Sequence, residues 1–250
     1  MNFESWRDYQ EFESDVKFNR RFVHSNKTNM FFENIKATLP NRERTFAAGN
    51  ILFRSQIGYV EEECDGSIIK RGYDRDRMKP LTAKASEGRA NPKGIAYLYL
   101  ASDKDTSMAE LRPHIGQHIS CAQFQINRDL RIIDCYSSDR NISYAECIFK
   151  PPQSQNDISH VIWLNINNAF TKPVTNDHSS SEYVPTQVLA ELFKNEGYDG
   201  ICCKSKMGKG YNFILFNLDD ADLKSCTVMQ TKAISFEFEE CKNRHDLLWE

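Results

Sequence analysis

Three residues whose side chains suit nucleotide chemistry lie between Gly88 and Arg112, in the stretch GRANPKGIAYLYLASDKDTSMAELR. Arg89 is a permanent cation whose guanidinium group presents several donors to phosphate oxygens. Tyr99 offers an aromatic face, and Glu110 offers a carboxylate at the other end of the predicted strand. We therefore interpret this stretch as one side of a nucleotide pocket.

Two further candidates precede this stretch. Arg54 follows the apolar run from Ile51 to Phe53, and its alternative is a solvated arginine at a strand end. Tyr73 lies in the basic segment from Lys70 to Lys79. Arginines in such a segment grip phosphate while the phenol stacks on a base, but a plain basic surface loop fits the segment equally well.

The elements around these residues follow from apolar periodicity and from turn residues. Thr106 to Leu111 predicts the start of a helix, and an acidic, turn-prone segment from Glu61 to Gly66 predicts a solvated loop. From Pro185 to Gly197 the pattern predicts an amphipathic helix with Pro in its first turn and Gly at its end. Strands are predicted at 51–54, 95–100, 119–124, 130–133, 200–205 and 211–216, and a last edge strand carries Ile234, Phe236 and Phe238.

The two ends of the chain differ from its centre. Residues 2 to 40 carry aromatic and aliphatic residues at spacings of three or four, which predicts two or three amphipathic helices packed on the main domain. Strands 200–205 and 211–216 form a predicted β-hairpin around a glycine-rich turn from Lys206 to Gly210. The GKG in that turn lacks the spacing and the Ser or Thr of a phosphate-binding Walker loop.

Composition restricts the class of protein. At 250 residues, with 40% hydrophobic and 27% charged residues, the chain has the composition of a globular protein with a sizeable core. A net charge of -3 gives no electrostatic reason to expect a nucleic-acid partner. The 8 cysteines include no CxxC pair, so we expect reduced thiols rather than a zinc site or a redox motif. No apolar run reaches the roughly 18 residues of a membrane span, and the charged first residues do not fit a signal peptide, so we expect a cytoplasmic location.

An ordered set of short motifs resembles the RES domain family, which is named for an arginine, a glutamate and a serine. The motifs are LFR at 52–54, GRANPKG at 88–94, YLYLAS at 97–102, AELRP at 109–113, DC at 134–135, YVPTQVLAELFKNEGYDGI at 183–201 and CKSKMGKGYNFILF at 203–216. The resemblance covers about residues 48–218, leaving an N-terminal helical extension at 1–47 and a C-terminal tail at 219–250. It implies an α+β fold: an ADP-ribosyltransferase-like mixed β core with flanking helices.

The resemblance also assigns site residues. It implies catalytic roles for Glu110, Arg89 and Ser205, and substrate contacts for Arg54, Tyr99 and Asn212; Tyr73 is added from its basic loop. Tyr97 is the alternative to Tyr99, and Asn212 has the alternative of stabilising its own turn. Two positions depart from the family pattern: Ala90 replaces an aromatic residue, which we expect to open the pocket, and Ser55 replaces a tyrosine, which removes a stacking contact.

The implied activity is cleavage of NAD at the bond between nicotinamide and ribose, with no metal and no cofactor. Water as acceptor makes such an enzyme an NAD glycohydrolase, inorganic phosphate makes it an NAD phosphorylase, and a macromolecule makes it an ADP-ribosyltransferase. The family further implies a growth-arresting toxin restrained by an antitoxin protein. A nucleotide-binding module without turnover is the alternative from another class, and the N-terminal helices suit dimerisation, partner docking or self-restraint.

Overall fold

A computed structural model describes residues 2–82, 85–136, 144–172 and 180–235. Its seven α-helices in these ranges are α1 Asp8–Phe18, α2 Asn26–Thr38, α3 Arg75–Met78, α4 Lys104–Ala109, α5 Tyr144–Phe149, α6 Gln155–Thr171 and α7 Val184–Asn195. Its ten strands there are β1 Glu43–Phe46, β2 Ile51–Ile57, β3 Val60–Cys64, β4 Ser67–Arg71, β5 Leu98–Ala101, β6 His118–Ile126, β7 Leu130–Asp134, β8 Gly200–Lys204, β9 Tyr211–Leu215 and β10 Ala221–Gln230.

Eight of these strands form one mixed sheet in the order β1-β7-β8-β9-β5-β2-β6-β10. β7 and β8 pair in parallel, and the other neighbours are antiparallel. Helices flank the sheet, so the predicted α+β class with a mixed β core is confirmed. Within the described ranges no helix is long and apolar enough to cross a membrane.

The N-terminal helices share the largest hydrophobic core with the helices that cover the sheet. Phe12 of α1 and Ile35 of α2 are buried in the same cluster as Trp163 of α6 and Phe193 of α7. The Trp163 indole N–H donates to Thr38 Oγ1 at 3.0 Å. Burying aromatic side chains of this size contributes several kcal/mol, so α1 and α2 are held firmly against the helices that cover the sheet.

Three elements differ from the sequence prediction. The acidic segment from Glu61 to Gly66 belongs mostly to the exposed hairpin β3–β4, whose turn places Asp65 and Gly66 at positive φ. The short strand β1 was not predicted, because its four residues show no apolar alternation and it gains its hydrogen bonds from β7. The edge strand is β10; Ile234 lies beyond it outside any strand, and Phe236 and Phe238 lie outside the described residues.

Candidate active site

Helix α4 carries Glu110 at its C-terminal end, not at its start as predicted. The helix begins two residues earlier than expected because Asp103 caps it, with the backbone N–H of Thr106 donating to Asp103 Oδ1 at 2.8 Å. Burial favours the neutral acid, but hydrogen bonds from Thr106 and Ser102 outweigh it and lower the pKa of Asp103. Glu110 then occupies the C-cap position, and its side chain lies beside Asn212 of β9.

Glu110 is held by two donors from the β8–β9 hairpin. Ser205 Oγ donates to Glu110 Oε1 at 2.7 Å, and Asn212 Nδ2 donates to the same oxygen at 2.6 Å. Short bonds of this kind to an ionised acceptor fix the orientation of a carboxylate. Two of the residues for which the resemblance implies a catalytic role, Glu110 and Ser205, are therefore directly hydrogen-bonded.

The hydroxyl of Ser205 is fully used by this arrangement. Its oxygen accepts from the backbone N–H groups of Met207 and Gly208 at 3.1 and 3.0 Å, while its proton goes to Glu110. The side chain is buried. Ser205 therefore joins the glycine turn to the carboxylate.

The glycine turn comes close to α4, and this explains its composition. A Cβ on Gly210 would lie 2.0 Å from Asp103 Oδ2, and one on Gly208 would lie 2.7 Å from the Cα of Thr106. The backbone N–H of Gly210 donates to Thr106 Oγ1 at 2.9 Å. Only glycine allows this approach, which sets the distance between the hairpin and Glu110.

Sheet register brings the remaining candidates to the same place. Phe53 of β2 pairs with Ala101 of β5, and Ala101 pairs with Asn212 of β9. Arg54 is the next residue after Phe53, so it lies beside this row of partners. Residues more than a hundred positions apart in the chain therefore meet across three adjacent strands.

Arg54 is a half-buried cation with an unused donor. Its Nη1 donates to the carbonyl oxygen of Tyr99 at 3.0 Å, whereas its Nε is shielded from solvent and has no hydrogen-bond partner among the described residues. Burial lowers the pKa of Arg54 from its ordinary value. A desolvated guanidinium with a free donor favours an incoming anion.

Arg89 lies on a loop that helix α7 holds in place. Its Nη1 donates to the carbonyl oxygen of Ala169 at 2.9 Å, near the end of α6. The hydroxyl of Thr186 donates to the carbonyl oxygen of Arg89 at 2.5 Å, and Gln187 Nε2 donates to the carbonyl oxygens of Gly88 and Asn91 at 3.0 and 3.1 Å. Thr186 and Gln187 were not singled out from the sequence, although Pro185 marked the helix start that presents them.

Tyr99 takes part in the same loop through its hydroxyl. The hydroxyl donates to Asn91 Oδ1 at 2.7 Å and accepts from the backbone N–H of Ala90 at 3.0 Å, and burial raises its pKa. Tyr99 is also one of the residues that line the cavity. Tyr97 instead packs in the core against Phe216, and burial raises its pKa to about 12.

One cavity of about 430 Å³ contains most of the predicted set. Arg54, Arg89, Tyr99, Glu110 and Asn212 line it, and Ser205 adjoins it through Glu110. Other lining residues were not predicted as contacts: Phe53, Gln56, Leu100, Ala101, Ser107, Leu111, Phe170, Cys203 and Ile214. A volume of this size lies within the range of about 300 to 1,000 Å³ for small-molecule sites.

Tyr73 lies outside this cavity. Its hydroxyl donates to the carbonyl oxygen of Ile57 at 3.2 Å, and the guanidinium of Arg77 lies 4.4 Å from its ring centre. The structure therefore does not bring Tyr73 together with the other candidates. A larger cavity of about 590 Å³ lies between α1 and α2 and contains none of them.

The two departures from the family pattern have different structural consequences. Ala90 is fully buried in the main core and does not line the cavity, so the expectation that it opens the pocket is wrong. Ser55 does line the cavity and accepts a hydrogen bond from Ser107 at 2.8 Å. A serine here leaves room where a larger aromatic side chain would stack.

The cavity also contains a thiol, Cys203. Burial raises its pKa to about 12, with a smaller contribution in the opposite direction from Arg89. The thiol is therefore neutral at physiological pH and is a poor nucleophile. No cluster of three or more His, Cys, Asp or Glu residues in the described ranges could hold a metal ion.

Comparison with known proteins identifies the family. The sequence profile of the RES domain matches residues 68–239. The chain belongs to the RES domain family. The matched range begins at residue 68 and does not include Arg54. The position of Arg54 in the cavity therefore rests on the sheet register described above and not on the profile match.

Other comparisons add little to this identification. No curated protein matches the chain significantly. The crystal structure of the M. tuberculosis MbcT–MbcA toxin–antitoxin complex contains a similar chain at 13% identity, with a TM-score of 0.41 and coverage of 78% of this chain and 91% of that one. A crystal structure of an anti-CRISPR protein matches at 13% identity and a TM-score of 0.25, covering 74% and 93%.

Proposed function

We propose that this RES protein is an NAD-consuming enzyme that cleaves the bond between nicotinamide and ribose. The observation that carries the proposal is the composition of the cavity: two arginines, Arg54 and Arg89, line it together with the oriented carboxylate of Glu110. Arginines suit the pyrophosphate of a dinucleotide, and a carboxylate suits the ribose. The resemblance to the RES family supports the same assignment.

Cleavage of this bond requires a positioned substrate and stabilisation of the positive charge that develops on the ribose. The C–N bond breaks with its electron pair going to the nicotinamide nitrogen, so the cationic pyridinium leaves as a neutral molecule. Positive charge then develops on the ribose, as in glycoside hydrolysis. Glu110 stabilises that charge, and the bonds from Ser205 and Asn212 hold the carboxylate so that it need not reorganise during the reaction.

The arginines bind the two phosphates at the other part of the cavity. The Nε of Arg54 is the donor that gains most from an incoming anion, because it is shielded and has no hydrogen-bond partner among the described residues. Arg89 adds the second cation. The ring of Tyr99 offers a face for the nicotinamide, while its hydroxyl stays committed to the loop.

The acceptor of the ADP-ribosyl group defines the enzyme class and calls for a direct test. Purified protein is incubated with NAD in phosphate-free and phosphate-containing buffer, and the products are separated and quantified. Free ADP-ribose in both buffers indicates a glycohydrolase, and an ADP-ribose phosphate ester formed only with phosphate indicates a phosphorylase. Label retained on a macromolecule indicates a transferase, and binding of NAD without any nicotinamide release contradicts the proposal.

A protein that destroys NAD in its own cell requires restraint. We propose that this one is a growth-arresting toxin that an antitoxin protein blocks, as the RES resemblance implies. Expression in a bacterial host is expected to stop growth and lower cellular NAD. Growth arrest without loss of NAD would separate the toxin assignment from the proposed reaction.

A further inference from the structure

The N-terminal helices contact the segment that leads into the active site through Lys17. This lysine lies in the last turn of α1, and its side chain is only 8% exposed. Its Nζ donates to Glu13 Oε1 at 2.7 Å and to Glu182 Oε2 at 3.1 Å. Removing this shielded lysine would leave two neighbouring carboxylates without their shared cation.

The residue after Glu182 contacts Arg89, which lines the cavity. Tyr183 ends a 3₁₀ turn, Ser180–Tyr183, and α7 begins at Val184. The ring centre of Tyr183 lies 5.8 Å from the guanidinium carbon of Arg89, within the range of a cation–π contact. Three residues later, Thr186 donates to the backbone of the Arg89 loop.

From this sequence of contacts we infer that Lys17 is a positioning residue for Arg89. Lys17 fixes Glu182, the 3₁₀ turn carries Tyr183 at a fixed place, and Tyr183 confines the guanidinium of Arg89 to the cavity. The N-terminal extension is then a structural part of the substrate site. The inference deepens the proposed function and rests on it where NAD turnover is the measurement.

The chain offers a matched control on the same helical pair. Lys27 of α2 forms an ion pair with Glu11 of α1, but its side chain is 60% exposed, and its pairing is within the N-terminal helices. Losing this pair removes a surface interaction that contributes little to the stability of the protein. It leaves the contact between Lys17 and Glu182 in place.

The experiment measures steady-state NAD cleavage by Lys17→Met, Lys17→Arg, Lys27→Met, Tyr183→Leu and Tyr183→Phe. Lys17→Met and Tyr183→Leu are each expected to raise KM about two- to fivefold with kcat within about twofold, the effect of losing one partly exposed cation–π contact. Tyr183→Phe keeps the ring and is expected to match the parent. Lys17→Arg is expected to restore KM, and Lys27→Met to leave it unchanged.

A double variant tests whether Lys17 acts through Tyr183. Adding Lys17→Met to Tyr183→Leu is expected to raise KM no further, since the route to Arg89 is already broken. If the KM increases of the two single variants multiply in the double variant, the inference is overturned. So would an equal loss of kcat in Lys17→Met and Lys27→Met, which would indicate general destabilisation.

Hydrogen exchange separates failure of this inference from failure of the proposed function. In the ligand-free protein, Lys17→Met is expected to accelerate amide exchange both in the peptide containing residues 182–187 and in the peptide containing 88–91. Lys27→Met is expected to change neither. If the parent does not cleave NAD but the exchange result holds, the positioning route stands and the reaction is misassigned. Acceleration at 182–187 alone overturns the route whatever the enzyme's activity.

Discussion

Replacing Glu110 with glutamine removes a charge from the site while keeping its shape. The glutamine carbonyl oxygen can accept the same two bonds that Ser205 and Asn212 give to Glu110 Oε1 at 2.7 and 2.6 Å. Hydrogen bonds in the turn and the capping of α4 do not involve the carboxylate charge. We therefore expect Glu110→Gln to fold like the parent, with a melting temperature within a few degrees of it.

The expected loss of rate follows from the charge alone. A carboxylate about 4 Å from a developing oxocarbenium ion contributes about 4 kcal/mol at an effective dielectric constant of about 20. At about 1.4 kcal/mol for each factor of ten, this corresponds to a rate reduced about 1,000-fold. Glu110 is exposed, so residual water would screen the charge and bring the loss closer to about 100-fold.

The assay is the initial rate of nicotinamide release over a range of NAD concentrations. Most of the loss is expected in kcat, because the charge being stabilised appears in the transition state and not in bound NAD. Glu191→Gln, on an exposed position of α7, serves as the matched control and is expected to behave like the parent. A folded Glu110→Gln protein with kcat within twofold of the parent would refute the assignment of Glu110.

Three further predictions follow from the surrounding structure. Arg54→Met removes a poorly solvated cation, so it is expected to raise the free energy of unfolding of the protein without NAD by about 1 kcal/mol, measured by denaturant unfolding. It is also expected to weaken NAD binding at least tenfold in a binding titration. A less stable variant that binds NAD as tightly as the parent would contradict the role of Arg54. Gly210→Ala places a methyl group against Asp103 and is expected to cost about 1–3 kcal/mol by denaturant unfolding and to reduce activity, whereas Gly66→Ala meets no atom and is expected to affect stability alone. The pKa of Asp103 is lowered in the folded state, so its carboxylate stabilises the fold above about pH 4 and loses that contribution as pH falls through the lowered value; Asp103→Asn is expected to flatten the pH dependence of unfolding in that acidic window, and an unchanged profile would contradict the capping role.

Local patterns in the sequence were sufficient to predict several elements that build the site. Apolar alternation indicated β6 and β7, and the glycine-rich turn indicated the hairpin of β8 and β9, as the structure confirms. Pro185 and Gly197 marked the ends of the region that contains α7. These signals are local, because turn residues and side-chain periodicity act over a few positions.

Contacts between distant segments could not be predicted in the same way. The pairing of Phe53 with Ala101, and of Ala101 with Asn212, depends on a strand order that local periodicity does not encode. The resemblance to the family supplied Arg54 and Asn212 as candidates, but not the bond from Asn212 to Glu110. Thr186 and Gln187 were overlooked because a buried polar residue that binds a loop backbone has the same sequence pattern as any first-turn residue of a helix.

The placement of Ala90 shows how a family comparison can misassign a cause. Its side chain is buried in the core, while its backbone N–H donates to the Tyr99 hydroxyl. The small residue therefore belongs to the core packing of the Arg89 loop and not to the lining of the cavity. Tyr99 likewise lines the cavity and gives its hydroxyl to the loop, so one residue both lines the site and shapes it.

Two residues that line the cavity have surroundings that are unfavourable for the stability of the fold. Glu110 ends a helix, where the partial negative charge of the last carbonyl groups opposes a carboxylate. Arg54 keeps a desolvated donor that has no acceptor in the described part of the chain. Both residues line the same cavity, and both deficits are relieved by one kind of ligand. An anionic group satisfies Arg54, and a ribose that becomes cationic satisfies Glu110. Proteins retain such local conflicts mainly where function requires them, so their coincidence in one cavity supports an NAD-cleaving site more strongly than either residue alone.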